Sequence, residues 1–268
     1  MKTKLLAILC LLALSGGAYA AEYPFRSGET LDFRLMFKWG GIMQDVGAAR
    51  VVLDSTVYAG TAVYHTEISA RSSKFFDAFY KIREHFQSWF TVEDLTPLKF
   101  IRQTEEGRWR AWNLYRYDWD RNLINAEINL NKPSSTIMEV PVHQGVCDLP
   151  ALVYRLRNMD FSSMEEGQKM MFTFAIDDDI FDIVMTYHGE QPLKIRRMGT
   201  VMARRLSCTV VSGVMFEGSE ELQFWLSADD NAIPVAFMAP LRVGAVWAWL
   251  RGCEGLKYPG FFLPLKDL

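Results

Sequence analysis

The sequence predicts a mainly β protein: a strongly curved antiparallel sheet or half-barrel, or two related β units joined by one amphipathic helix. Apolar and polar residues alternate with a period of two through most of the chain, while one segment has helical spacing instead. A turn phrase is also spoken twice, as FTVEDLTPLKF at 90–100 and as WLSADDNAIPVAF at 225–237. Each copy runs from an apolar strand end through a hydroxyl residue and acids to a proline and a strand with an aromatic. The acids favour a turn by hydrogen-bonding their own backbone, and Pro97 and Pro234 fix φ as the return strand begins.

Residues 1–20 read as a signal peptide. Lys2 and Lys4 precede the apolar run LLAILCLLAL, and Ala18-Tyr19-Ala20 is a small-x-small cleavage site. The run is too short to span a membrane, which takes about 20 residues. This predicts export, with a mature chain from Ala21 that is periplasmic or envelope-associated in a Gram-negative bacterium. Residues 21–268 then form one β-rich domain, divided into a first β unit (21–145), a helix (146–160) and a second β unit (161–268).

In the first unit, Leu31, Phe33, Leu35, Phe37 and Trp39 alternate with polar or charged residues until Gly40-Gly41. Further strands follow at 46–53, 61–70, 82–91, 98–104, 108–117 and 122–130. DLPALVYRLRNMDF, from Asp148, then places Leu149, Leu152, Val153, Leu156 and Met159 on one helical face. Asp148 is an N-cap and Pro150 lies in the first turn, where a missing N–H costs nothing. This predicts a helix over 149–158 with Arg155 and Arg157 outward. Strands resume around Met170–Ile176 and Phe181–Tyr187, with Asp177-Asp178-Asp179 as a solvated hairpin tip. Others are expected at 193–197, 201–211, 220–227, 234–239 and 244–250.

The whole chain carries a net charge of −3; from Ala21 onward 27 basic face 32 acidic side chains. That balance gives no electrostatic reason to bind nucleic acid or anionic lipid broadly. Cys147, Cys208 and Cys253 have no metal-site spacing. They read as small buried residues; if one pair bridges, Cys208 and Cys253, both in the second half, are favoured over the other pairings.

Motifs for nucleotide binding, zinc proteolysis and serine hydrolysis are absent from the sequence. No cofactor, metal site or catalytic residue is expected. His143 and Cys147, in HQGVCD, are the one pair worth weighing as a thiol nucleophile; a loop histidine, a buried cysteine and a helix cap explain them better. Neighbouring acids on a strand point to opposite faces, so Glu93-Asp94 and Asp229-Asp230 read as turn formers, with Asp94, Pro97, Asp230 and Pro234 as structural turn residues. RWRAWNLYRYDWDR at 108–121 reads as a strand buried on one face, with arginines covering aromatics on the other.

The pieces GETLDFRLMFKWGGI (28–42), FTVEDLTPLKF, DLPALVYRLR, FWLSADDNAIPVAF (224–237) and PLRVGAVWAWL (240–250), in that order, resemble the envelope-protein family known as domain of unknown function 3108. That resemblance implies no activity and no catalytic residues. More distantly, the turn phrase and the curved sheet look like periplasmic lipoprotein carriers, whose half-barrels hold acyl chains. The expected function is a non-enzymatic envelope protein that binds a lipid or other amphipathic molecule in a β-lined apolar cavity. Phe37, Trp39, Trp89, Trp109, Trp112, Trp247 and Trp249 are the candidate ligand-binding residues. The alternative is an interaction module that docks an envelope protein or glycan through an aromatic patch.

Overall fold

Among the described residues, alternation of apolar and polar residues runs through fourteen strands, which hydrogen-bond into one antiparallel sheet. The structure is a computed structural model and describes residues 22–196, 198–210, 222–241 and 243–259; the expected signal peptide lies outside them. The first meander contains β1 (Glu29–Trp39), β2 (Ile42–Tyr58), β3 (Thr61–Ser72), the short helix α1 (Lys74–Asp77), β4 (Ile82–Thr91), β5 (Pro97–Glu106), β6 (Trp109–Asp118), β7 (Leu123–Leu130) and β8 (Thr136–Pro141). Helix α2 (Leu149–Arg157) leads to β9 (Lys169–Ile176), β10 (Asp179–Ile195), β11 (Gly199–Val210), β12 (Leu222–Ser227), β13 (Pro234–Pro240) and β14 (Ala245–Glu254). The spatial order is β8-β7-β6-β5-β4-β3-β2-β1-β14-β13-β12-β11-β10-β9. Both meanders therefore meet at β1 and β14, and the sheet is open between β8 and β9. Among the described residues, no helix is long and apolar enough to cross a membrane.

Three elements depart from the sequence reading. Residues 193–195 continue β10, which is 17 residues long because a bulge at Tyr187/Glu190 lets it bend without ending. Gly189 sits in that bulge at φ 78°. β8 and α1 were not expected, since Thr136–Pro141 is short and Lys74–Asp77 makes one helical turn.

The repeated phrase forms the same turn twice. The backbone amides of Thr96 and Ile233 donate to the Thr91 and Ser227 hydroxyls at 3.0 and 2.8 Å. Leu95 and Ala232 both adopt positive φ, at 60° and 45°. Pro97 and Pro234 each begin a strand beside a bulge, at Trp89/Phe90 and Trp225/Leu226. The capping acids differ. Asp94 accepts from Thr96, but in the second copy Asp229, not Asp230, accepts from the Ala232 amide. The likeness extends beyond the turn: β2 and β10 have 17 residues each, β3 and β11 have 12, and β6 and β14 have 10.

The face of the sheet around α2 is packed with protein. Asp148 caps the helix, accepting from the Ala151 amide at 2.9 Å and the Ser88 hydroxyl at 2.8 Å. Tyr154, Leu152 and Leu156 join Phe25, Leu53, Phe90, Phe174, Met185 and Leu206 in one core cluster. Arg157 does not point outward as expected. It is 2% exposed, and its guanidinium forks onto the Glu29 carboxylate at 2.5 and 2.8 Å. It also donates to the Asn231 carbonyl at 3.0 Å, so one side chain ties α2, the start of β1 and the second copy of the turn. Arg155 reaches the carbonyls of Gly145 and Leu95.

The β9–β10 tip is also not simply solvated. Asp178 and Asp179 are exposed, but the Asp177 carboxylate accepts from Arg102 at 2.7 Å and Asn113 at 2.9 Å. The Tyr115 hydroxyl donates to the Asp177 carbonyl. The hairpin is thus pinned to β5 and β6 across the opening of the sheet. Asp177→Ala removes a charged acceptor from two donors, Arg102 and the buried Asn113. A loss of about 2–3 kcal/mol in urea unfolding is expected, and an unchanged midpoint would show that the contact does not pin the hairpin.

The edge of β9 is covered in part by Cys147, which forms a parallel bridge with Phe174. None of the three cysteines forms a disulfide, so Cys208–Cys253 is not a bridge.

Candidate binding groove

Antiparallel register places one residue from each of seven neighbouring strands in a single row. Asp32 pairs with Arg50, Arg50 with Ser69, Ser69 with His85, His85 with Gln103, Gln103 with Trp112, and Trp112 with Asn129. A second row two residues along holds Ala48, Arg71, Arg83, Glu105 and Arg110. Successive residues on a strand face opposite sides. Ser88, which meets α2, and His85 are three apart on β4, so both rows lie on the face turned away from the helix.

These rows line a cavity of about 1380 Å³ that also touches Gly252 and Arg251 of β14 and Asn131, Lys132 and Ser135 of the β7–β8 turn. Most of its lining residues are polar or charged. Arg50, Arg71, Arg83, Arg110, Lys132 and Arg251 outnumber Asp32, Glu84 and Glu105, although the chain as a whole is acidic. Arg50 forks onto Asp32 at 2.7 and 2.9 Å; this bond, with Arg251 beside it, holds the Asp32 carboxyl below its ordinary range. Arg83 pairs with Asp77 at 2.6 Å and Arg110 with Glu105 at 3.2 Å. Among the described residues, Arg71 and Lys132 have no ion-pair partner. The groove therefore has cationic capacity its own acids do not neutralise, with Trp112 as an aromatic platform in the same row.

Beneath it, on the helix side, Glu84 accepts from the Thr104 hydroxyl at 2.6 Å. Burial pushes the Glu84 carboxyl up to about 7, and its other oxygen has no hydrogen-bond partner.

The seven aromatic residues expected to bind ligand are not brought together. Trp112 alone lines the cavity. Trp109 lies on the opposite face of β6, with the Arg102 guanidinium 5.5 Å from its ring centroid. Trp89 stacks on His65 at 4.3 Å, with the Lys99 ammonium also 4.3 Å from its ring. Trp247 stacks between Trp225 and Trp249, at 5.5 and 5.0 Å. Phe37 packs beside Gly244, and Trp39 stands 61% exposed at the tip of β1. Sequence reasoning passed over the groove because its residues are ordinary outward positions of separate strands. Only the cross-strand register assembles them.

His143 and Cys147 do not form a catalytic pair. The Cys147 thiol is fully buried and donates to the Thr173 carbonyl at 3.5 Å, and burial pushes it up to about 12. His143 is exposed, its Nδ1 beside the Gln144 carbonyl. Among the described residues, no cluster of three or more histidine, cysteine or acidic side chains is placed to hold a metal ion.

A family model described as "Protein of unknown function (DUF3108)" matches residues 32–248. No curated protein matches the chain. Among solved structures, the chain is similar to a β-barrel-like protein of domain of unknown function DUF1849 from Brucella abortus. The TM-score is 0.57 at 10% identity, over 88% of this chain and 100% of that one. At that identity the likeness concerns the fold.

Proposed function

The chain belongs to the DUF3108 family of proteins of unknown function, and from that premise we propose that it is an exported, non-enzymatic envelope protein that binds the anionic polar head of an amphiphile in the groove. One observation carries this reading: two adjacent rows of side chains, net-basic together, across the helix-remote face of an otherwise acidic chain. Arginines suit phosphate and carboxylate because their donors match both oxygens at once. Trp112 adds a face on which a sugar ring can stack. The expected apolar cavity gives way to this polar groove because α2 and the pinned β9–β10 hairpin fill the helix side of the sheet.

Titration with glycerol phosphate and with a phosphorylated disaccharide, followed by calorimetry, tests the proposal. Binding that weakens with salt, and that falls by about tenfold in Arg71→Ala, is expected for the loss of one charge-assisted contact. Binding of a fatty-acid probe with no response to either anion would overturn it.

A further inference from the structure

The second row of the groove, from Arg71 to Arg110, lies near an end of the sheet with an unusual surface. In an antiparallel meander, alternate connections lie at the same end, so the β13–β14, β1–β2 and β3–β4 connections are neighbours there. They carry Leu241 and Val243, then Trp39 and Ile42, then Phe75 and Phe79. All six are at least 50% exposed, and Phe75 and Phe79 reach 71% and 73%. Their rings contact each other at 5.6 Å, leaving the outer faces of the pair open. Lone exposed apolar residues are ordinary, but three adjacent tips tipped with large ones mark an interaction surface.

Charge identifies the occupant. Lys38 adjoins Trp39 and Lys74 adjoins Phe75. Arg71 is the penultimate residue of the strand that leads into α1, and Lys132 stands at the β7–β8 connection of the same end. Among the described residues, none of these four cations has an ion-pair partner. Aromatic and aliphatic tips backed by free cations fit an anionic bilayer surface: the apolar groups enter the acyl boundary and the cations meet the headgroups.

We propose that this end of the sheet docks on an anionic lipid bilayer, Trp39, Ile42, Phe75 and Phe79 inserting while Lys38, Lys74 and Arg71 contact lipid phosphates. The proposal shares with the groove reading its preference for anions and one residue, Arg71. A docked protein holds the second row of the groove near lipid heads in the same membrane.

Flotation of the purified protein with phosphatidylcholine vesicles, with and without phosphatidylglycerol, is the test. Binding only to the anionic vesicles is expected, with a blue shift in tryptophan emission that is lost in Trp39→Ser. The double variant Phe75→Ser/Phe79→Ser alters exposed side chains only and is expected to weaken binding by about tenfold or more. Its circular dichroism and melting temperature should match the parent protein. No binding to anionic vesicles, or equal binding by the folded double variant, would overturn the proposal. So would a dimer in sedimentation that the double variant converts to monomer, because the tips would then cover a second copy. Glycerol phosphate titration of the double variant separates the two readings: the groove should still respond when vesicle binding is lost.

Discussion

Arg157→Ala is expected to lower unfolding free energy by about 3–5 kcal/mol, because it strands a buried carboxylate. Glu29 and Arg157 are each 1% exposed at the side chain, and their contact bridges 128 residues of sequence. Removing either partner leaves the other in a site without water to replace it. The arginine also holds the Asn231 carbonyl and packs over Phe25 and Tyr154, at 5.1 and 5.3 Å from their rings. Urea denaturation measures the loss. The double variant Glu29→Leu/Arg157→Met should recover much of it, because desolvating an ion pair offsets most of its Coulombic attraction. Equal stability of Arg157→Ala and the parent would show that the pair does not anchor the helix to the sheet.

Stability is also expected to fall as pH rises from about 5 to about 8. Burial pushes the Asp148 carboxyl up to about 7, and the Glu84 carboxyl also to about 7. In the unfolded chain both titrate near 4. Between those values the folded protein holds protons that the unfolded chain releases. The contribution is thus complete below about pH 4 and is lost as pH climbs through about 7. For Asp148, a shift of about three units corresponds to roughly 4 kcal/mol across that window. Asp77 acts in the opposite direction in a separate range. Hydrogen bonds from Arg83 and Ser72 hold it at about 2, so its contribution disappears only under stronger acid. Asp148→Asn keeps an acceptor for the Ala151 amide but cannot ionise. Its melting temperature should vary much less between pH 5 and pH 8. A parent protein that gains stability over that interval would contradict the assignment.

The strand content and the turn geometry were legible in the sequence because both are local. Alternation along Leu31–Trp39 and prolines at 97 and 234 act within a few residues. Asp148 and Pro150 mark the helix start for the same reason. What was not legible depends on contacts distant in sequence. Arg157 looked like a solvent residue at the end of an amphipathic helix, but Glu29 lies across the core. Asp177 looked like a loop acid until Arg102 and Asn113 were placed opposite it. The groove is the extreme case: its long row draws on seven strands, and no short segment contains more than a fraction of it. Aromatic residues drew attention in the sequence because they are large and unusual. The fold distributes them among stacks, both faces of the sheet and its exposed tips.

The central claim is that ligand binds on the helix-remote face, in the register row through Gln103, and not in the interior around α2. Alkylation of a thiol placed by Gln103→Cys tests it directly, since Cys147 and Cys208 are buried and the parent protein controls for Cys253. Gln103 is exposed and lies between His85 and Trp112. The account predicts that glycerol phosphate or a phosphorylated disaccharide slows alkylation of this thiol, and that high salt or Arg71→Ala abolishes the protection. Unchanged alkylation at saturating ligand, with protection appearing at a Phe86→Cys thiol on the helix side, would contradict it.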